Sequence, residues 1–147
     1  MSDYTHILVA IDFSPSSEQV LNTAREITAR NNAHLSLLHV VEYLPPIDTA
    51  YEPIMVNNWV IDESEMIRQA KKSLQQFSDK QQLENAVLHT LSGTPKYEIT
   101  QFVKAHQCDL VVLGSHGRHG IRLLLGSTAN AVLHDMPCDV LAVKITE

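Results

Sequence analysis

The run Thr5-His6-Ile7-Leu8-Val9-Ala10-Ile11 is apolar at consecutive positions, with no alternating polar face. A strand built this way is buried on both sides, as in a parallel sheet covered by helices. Four further runs read as strands: His34–Val41 (His-Leu-Ser-Leu-Leu-His-Val-Val), Ala86–Leu91, Asp109–Leu113 and Cys138–Ile145. The stretches between them have helical period. Ser14 reads as an N-cap with Pro15 in the first turn, and Val20, Leu21, Ala24 and Ile27 follow at helical spacing. A second helix is expected from near Asp62, with Glu65 placed for a capping box and an apolar stripe of Ile67, Ala70, Leu74 and Phe77. Thr94-Pro95 repeats the cap signature ahead of Ile99, Phe102 and Val103, and Ser127–His134 is a short helix stopped by Met136-Pro137. Strand and helix alternate throughout, which predicts an α/β fold: a five-stranded parallel sheet with right-handed crossovers and helices on both faces. The similar openings Cys108-Asp109-Leu110-Val111 and Cys138-Asp139-Val140-Leu141 support parallel pairing of the last two strands.

Composition limits the function classes. At 147 residues, 44% hydrophobic and 19% charged, the chain is expected to form one domain over residues 1–147 with its own core. A formal net charge of -6 has the wrong sign for phosphate attraction over the whole surface, so no nucleic-acid partner is expected. The run ending at Asp12 is far short of the roughly 20 apolar residues that span a bilayer, and Met1-Ser2-Asp3-Tyr4 lacks a basic leader, so neither a membrane nor an export signal is expected. Cys108 and Cys138 do not form a disulfide framework and read as two buried thiols in a reducing, cytoplasmic setting, with a cross-strand disulfide as the rarer alternative.

Ligands of such sheets sit outside the carboxyl ends of the strands, where strand order reverses. With the order 3-2-1-4-5, strands one and four flank that point, so Asp12 and Gly114 share a crevice. Asp12 has a structural alternative, as a cap for the helix after Ser14. The segment Gly114-Ser115-His116-Gly117-Arg118-His119-Gly120 follows the fourth strand, and Gly126-Ser127-Thr128 opens the next helix. Glycines let backbone N–H groups approach an anion, and a helix start with two hydroxyls favours phosphate. His116, Arg118, His119 and Arg122 make this segment basic within an acidic chain. Its bland alternative is a set of turn glycines with a solvated charged face. No Gly-Lys-Ser/Thr follows, so it is not a Walker loop. His6, His34, His39 and His89 are scattered without paired spacing and read as structural, and no metal cage is visible. The excursion Tyr43–Trp59, with Pro45, Pro46 and Pro53, reads as a long connection, a lid or a partner surface.

Taken together these words resemble the universal stress protein family. Ile7-Leu8-Val9-Ala10-Ile11-Asp12-Phe13-Ser14 resembles its opening, and Leu38-His39-Val40-Val41 its second strand. Ser92-Gly93-Thr94-Pro95 resembles its turn into the third helix, and Pro137-Cys138-Asp139-Val140-Leu141-Ala142-Val143 its last strand. Gly114 through Ser127 resembles its motif G-x2-G-x9-G-[S/T], with eight residues in place of nine between Gly117 and Gly126, so the loop is one residue short or Gly120 compensates. The resemblance implies an adenine nucleotide alpha hydrolase-like fold and, in one branch of the family, ATP binding, with Mg2+ accompanying the phosphates. It implies that Asp12 meets the adenosine and that Val40 holds adenine through its backbone, with Ala10 and Ile11 also among the cofactor-binding residues. Gly114, Ser115, His116, Gly117, Arg118, Gly126, Ser127 and Thr128 would then hold ribose and phosphates. It also implies a homodimer formed through the last strand, Asp139 to Ile145, an apolar edge that invites pairing. Three functions are consistent with these residues: a dimeric ATP-binding module of the stress response, a slow ATPase, and a nucleotide-free interaction protein. No activated nucleophile or paired carboxylates appear in the loop, which disfavours the enzyme.

Overall fold

The computed structural model describes residues 3–42, 63–114 and 136–145. Five strands, β1 (His6–Ala10), β2 (His34–Val41), β3 (Val87–Ser92), β4 (Leu110–Gly114) and β5 (Asp139–Val143), pair in the order β3-β2-β1-β4-β5. Every pairing is parallel, as the apolar runs predict. The reading of β2 holds to the residue. The other strands shift by one or two residues at their ends, where ladders fray.

The consecutive apolar residues of β1 serve two cores. Ile7 and Val9 pack in one layer with Val20, Leu21 and Ala24 of α1 (Ser17–Asn31) and Leu74 of α2 (Glu63–Lys80). Leu8 and Ala10 pack on the other face with Ile99, Phe102 and Val103 of α3 (Pro95–His106). The predicted stripes are therefore the buried ones, with Ala70 and Leu74 buried and Ile67 and Phe77 half-buried on α2. At the sheet's two edges, Val87 of β3 is 54% exposed and Val143 alone of β5 is buried.

One helix start differs from the expectation. Helix α1 begins at Ser17 with Ser16 as N-cap, so Ser14 and Pro15 lie in a preceding turn, in which the Ser17 N–H donates to the Ser14 carbonyl at 3.0 Å. The reason is local: Asp12 and Phe13 turn the chain first and use the Ser14 N–H in doing so. The Glu65 carboxylate accepts from the Arg68 guanidinium and from Gln69, and its capping-box partner near Asp62 lies outside the described residues. Thr94 and Pro95 start α3 as expected. Asp62, the excursion Tyr43–Trp59, the glycine segment beyond Gly114 and the predicted helix Ser127–His134 lie outside the described residues.

The amino end of the sheet is held by polar groups. Asp109 accepts the Thr5 and His6 N–H groups at 2.8 and 3.0 Å and the Thr5 hydroxyl at 3.0 Å. Desolvation opposes its ionisation, but these donors outweigh it and hold the carboxyl below its ordinary range. The Tyr4 hydroxyl donates to Asp139 at 2.7 Å, tying the start of β5 to the chain before β1. Above Asp109, His6 Nδ1–H donates to the His106 carbonyl at 3.1 Å, and its Nε2 lies 2.7 Å from the Ser36 hydroxyl. The His106 ring stacks on Phe102 at 3.9 Å, and His89 meets Phe102 at 4.6 Å and His106 at 5.3 Å. Burial, with the charges of His106 and His6 added, pushes the His89 imidazole below its ordinary value.

This cluster makes stability depend on pH. The unfolded chain protonates His89 near pH 6.5, whereas the folded chain resists that proton to lower pH. Stability is thus full above about pH 6.5 and falls as the pH drops through the lowered folded value. Asp109 adds a second loss below about pH 4, when its donors lose their carboxylate. Urea midpoints measured from pH 8 to pH 3 are expected to fall in these two steps, and His89→Leu is expected to flatten the upper one. A midpoint constant from pH 7 to pH 5 in the unaltered chain would contradict this.

Candidate functional site

The chain leaves β1 toward β2, while β4 arrives on the other side of β1, so strand order reverses between β1 and β4. Val9 pairs with Val112, and continuing that register sets Ile11 level with Gly114. The Ile11 N–H donates to the Leu38 carbonyl at 2.8 Å, so the chain stays in line with β2 until it turns at Asp12. Asp12 Oδ1 accepts the Ser14 N–H at 2.9 Å and the Ser17 hydroxyl at 3.0 Å. The carboxylate therefore fastens the start of α1, the structural role weighed for it from the sequence, and it does so at the crevice where a ligand role was expected. Ala10, Ile11 and Val40 are at most 5% exposed, so their side chains are closed to a ligand, and the Ile11 N–H and carbonyl are already engaged by Leu38 and His39. Gly114 ends β4 beside them, also buried. Gly93 has φ +140°, a conformation side-chain-bearing residues rarely adopt, and its N–H donates to the Val41 carbonyl at 2.9 Å, anchoring the turn after β3 to the end of β2.

Two residues stand out at this end: His39, which the sequence marks as a structural histidine, and Phe13, which it does not single out. His39 is buried, and its Nδ1–H donates to the Ile11 carbonyl at 2.7 Å. Phe13 takes φ +62° and sets its ring against the His39 ring, centroids 4.3 Å apart. Period-2 alternation was the available signal, since His39 shares a face with Leu35 and Leu37. A cavity of about 630 Å³ opens here, bounded by Phe13, His39 and the chain from Val40 to Glu42. Its far wall is α2, through Met66, Gln69, Ala70 and Ser73.

Ser115, His116, Gly117, Arg118, Gly126, Ser127 and Thr128 lie outside the described residues. Among the described residues, no group of three His, Cys, Asp or Glu is arranged to hold a metal ion. Cys108 and Cys138 are free thiols at the opposite end of the sheet. Burial, then the neighbouring thiol and Asp109, pushes Cys108 up to about 12. Burial, then Asp139 and Asp109, pushes Cys138 up to about 11. Both stay protonated at neutral pH and are poor nucleophiles. No described helix is long and apolar enough to cross a membrane. The described residues at the carboxyl end of the sheet thus offer backbone groups, the fastened Asp12 carboxylate and an aromatic pair beside a cavity that Glu42 also lines, an arrangement suited to binding.

The model of the universal stress protein family matches residues 3–144. The chain is 43% identical over 149 aligned residues to universal stress protein A homolog 1 of Coxiella burnetii, covering 98% of this chain and 99% of that protein. It is 40% identical over 146 residues to homolog 2 of the same organism, covering 99% and 98%. Among solved structures, the universal stress protein UspA from Lactobacillus plantarum is 30% identical with a TM-score of 0.63, covering 97% of this chain and 99% of that one. The same fold is found in a universal stress protein in complex with cAMP, 24% identical with a TM-score of 0.58 over 97% and 98% of the two chains. It is found again in a universal stress protein from Archaeoglobus fulgidus in complex with dAMP, 22% identical with a TM-score of 0.63 over 97% and 100%. The strand order, the residues at the switch point and these likenesses agree: the chain is a member of the universal stress protein family.

Proposed function

We propose that this chain binds an adenine nucleotide, ATP with accompanying Mg2+, in the crevice outside β1 and β4, and that it acts in the cytoplasm as a dimeric binding module of the stress response. One observation carries the reading: Asp12 and Gly114 end up at the reversal of strand order among the described strands, where open α/β sheets take their ligands. The cAMP and dAMP complexes of the two solved relatives support the ligand class. Backbone-only contributions from Ala10 and Val40 suit a base and ribose, with the glycine segment and the Ser127-Thr128 helix start left to the phosphates. Mg2+ keeps most of its waters and takes the phosphates as ligands, so it needs no protein cage. As a binding module the protein turns ATP over far more slowly than the enzyme median of about 10 per second.

Mass spectrometry of the small molecules released when fresh protein is denatured tests the ligand class. An adenine nucleotide close to one per chain is expected. A preparation that releases none and takes none up contradicts the reading.

The dimer rests on the edge strand. Among the described residues β5 pairs with β4 alone, and Val140, Leu141 and Ala142 are each half-buried. Pairing with the same strand of a second copy satisfies its outer backbone groups and closes a two-fold dimer. Sedimentation equilibrium at micromolar concentration is expected to give about 33 kDa, twice the 16.4 kDa of one chain. A mass of one chain would end the edge-pairing argument.

A further inference from the structure

A bulky side chain seldom takes a left-handed backbone, because its Cβ crowds the neighbouring carbonyl. Phe13 takes one, with φ +62°. The turn is held on both sides, by the Ile11 N–H on the Leu38 carbonyl before it and by Asp12 Oδ1 on the Ser14 N–H and Ser17 hydroxyl after it. Such a conformation persists only where its surroundings enforce it, and it concentrates at binding sites. What this turn delivers is not a core residue, since Phe13 remains 37% exposed. Part of the ring is backed by the buried His39, whose own ring is oriented by the Ile11 carbonyl. The ring also borders the 630 Å³ cavity, a volume within the range of small-molecule sites. Across that cavity α2 presents the soft Met66 and the small Ala70, which leave room for a flat group.

We propose that Phe13, held by this turn and backed by His39, is the surface on which the planar base of the bound nucleotide stacks. The inference rests on the nucleotide reading above and adds a residue to it. Every base has a π face, so stacking strengthens binding without choosing the base. Phe13 therefore sets how tightly a nucleoside phosphate binds relative to a bare polyphosphate. The choice between adenine and guanine falls to the backbone around Val40.

The test titrates ATP, GTP and inorganic tripolyphosphate by calorimetry into the unaltered chain, Phe13→Ala and Phe13→Trp. Phe13→Ala is expected to weaken ATP and GTP by the same factor, about tenfold to a hundredfold, and to leave tripolyphosphate within about twofold. Phe13→Trp is expected to keep the ATP affinity. If Phe13→Ala does not fold, nuclear Overhauser contacts between the Phe13 ring and adenine H2 or H8 in the unaltered complex decide in its place, and they are expected to be present. Tight ATP binding by the unaltered chain with an unchanged Phe13→Ala, or a complex without those contacts, overturns this inference alone. An unaltered chain that binds no ATP removes the nucleotide reading, and this inference with it.

Discussion

Leu38→Ala is expected to lower the stability of the fold by about 3–5 kcal/mol, the upper part of the range for a buried leucine. Leu38 is completely buried on the second strand, between its pairing partners Ala10 and His89 and in the layer that holds Ile99 and Phe102. Collapse would relieve the cavity, but the neighbours on both sides are strand residues whose backbone is fixed by two ladders. The lost contacts are therefore not recovered. Against a total of about 5–15 kcal/mol for a domain, that is a large share, and a thermal midpoint about 10 °C lower should accompany it. Urea unfolding should show a lower midpoint with an unchanged slope. A loss under about 1 kcal/mol would mean that the α3 face of the sheet is not close-packed.

Gly114→Val combined with Gly117→Val is expected to weaken ATP at least about a hundredfold, which corresponds to roughly 2.7 kcal/mol. Gly114 sits at the end of β4, level with Ile11 at the reversal of strand order. A branched side chain there stands where backbone N–H groups have to approach phosphate. Tripolyphosphate should be lost along with ATP, whereas the Phe13 variant loses only the nucleotides. The two ends of the ligand are thereby tested separately. A thermal midpoint near that of the unaltered chain establishes that the double variant is folded. Unchanged ATP affinity in that folded variant would refute the glycine cradle.

The architecture was legible because each strand carries its environment in its own residues. Ile7 to Ile11 has no polar face, so burial on both sides follows from the run alone, and the strand order then sets Asp12 and Gly114 together. Local signals were less dependable where a neighbour competed for the same group. Ser14-Pro15 has the chemistry of a helix start, but the Asp12 carboxylate takes the Ser14 N–H and the helix begins at Ser17. The grouping of His6, His89 and His106 depends on strand register and on the packing of α3, neither of which is written in their spacing. The left-handed backbone of Phe13 was not legible at all, because no residue type near it marks a bulky residue for that conformation. Asp12 was read chiefly as a ligand contact, and the structure adds a fastening role that the sequence offered as its alternative.

Calorimetric titration of the unaltered chain with ATP and then with GTP tests most directly whether an adenine nucleotide belongs at the switch point. One site per chain is expected, with ATP bound more tightly than GTP and with NMR shifts confined to Ala10–Phe13, the chain from His39 to Glu42, the facing residues Met66 and Ala70 of α2, and the segment from Gly114 onward. No heat with either nucleotide, or binding whose shifts cluster at the amino end of the sheet around His6 and Asp109, would contradict it.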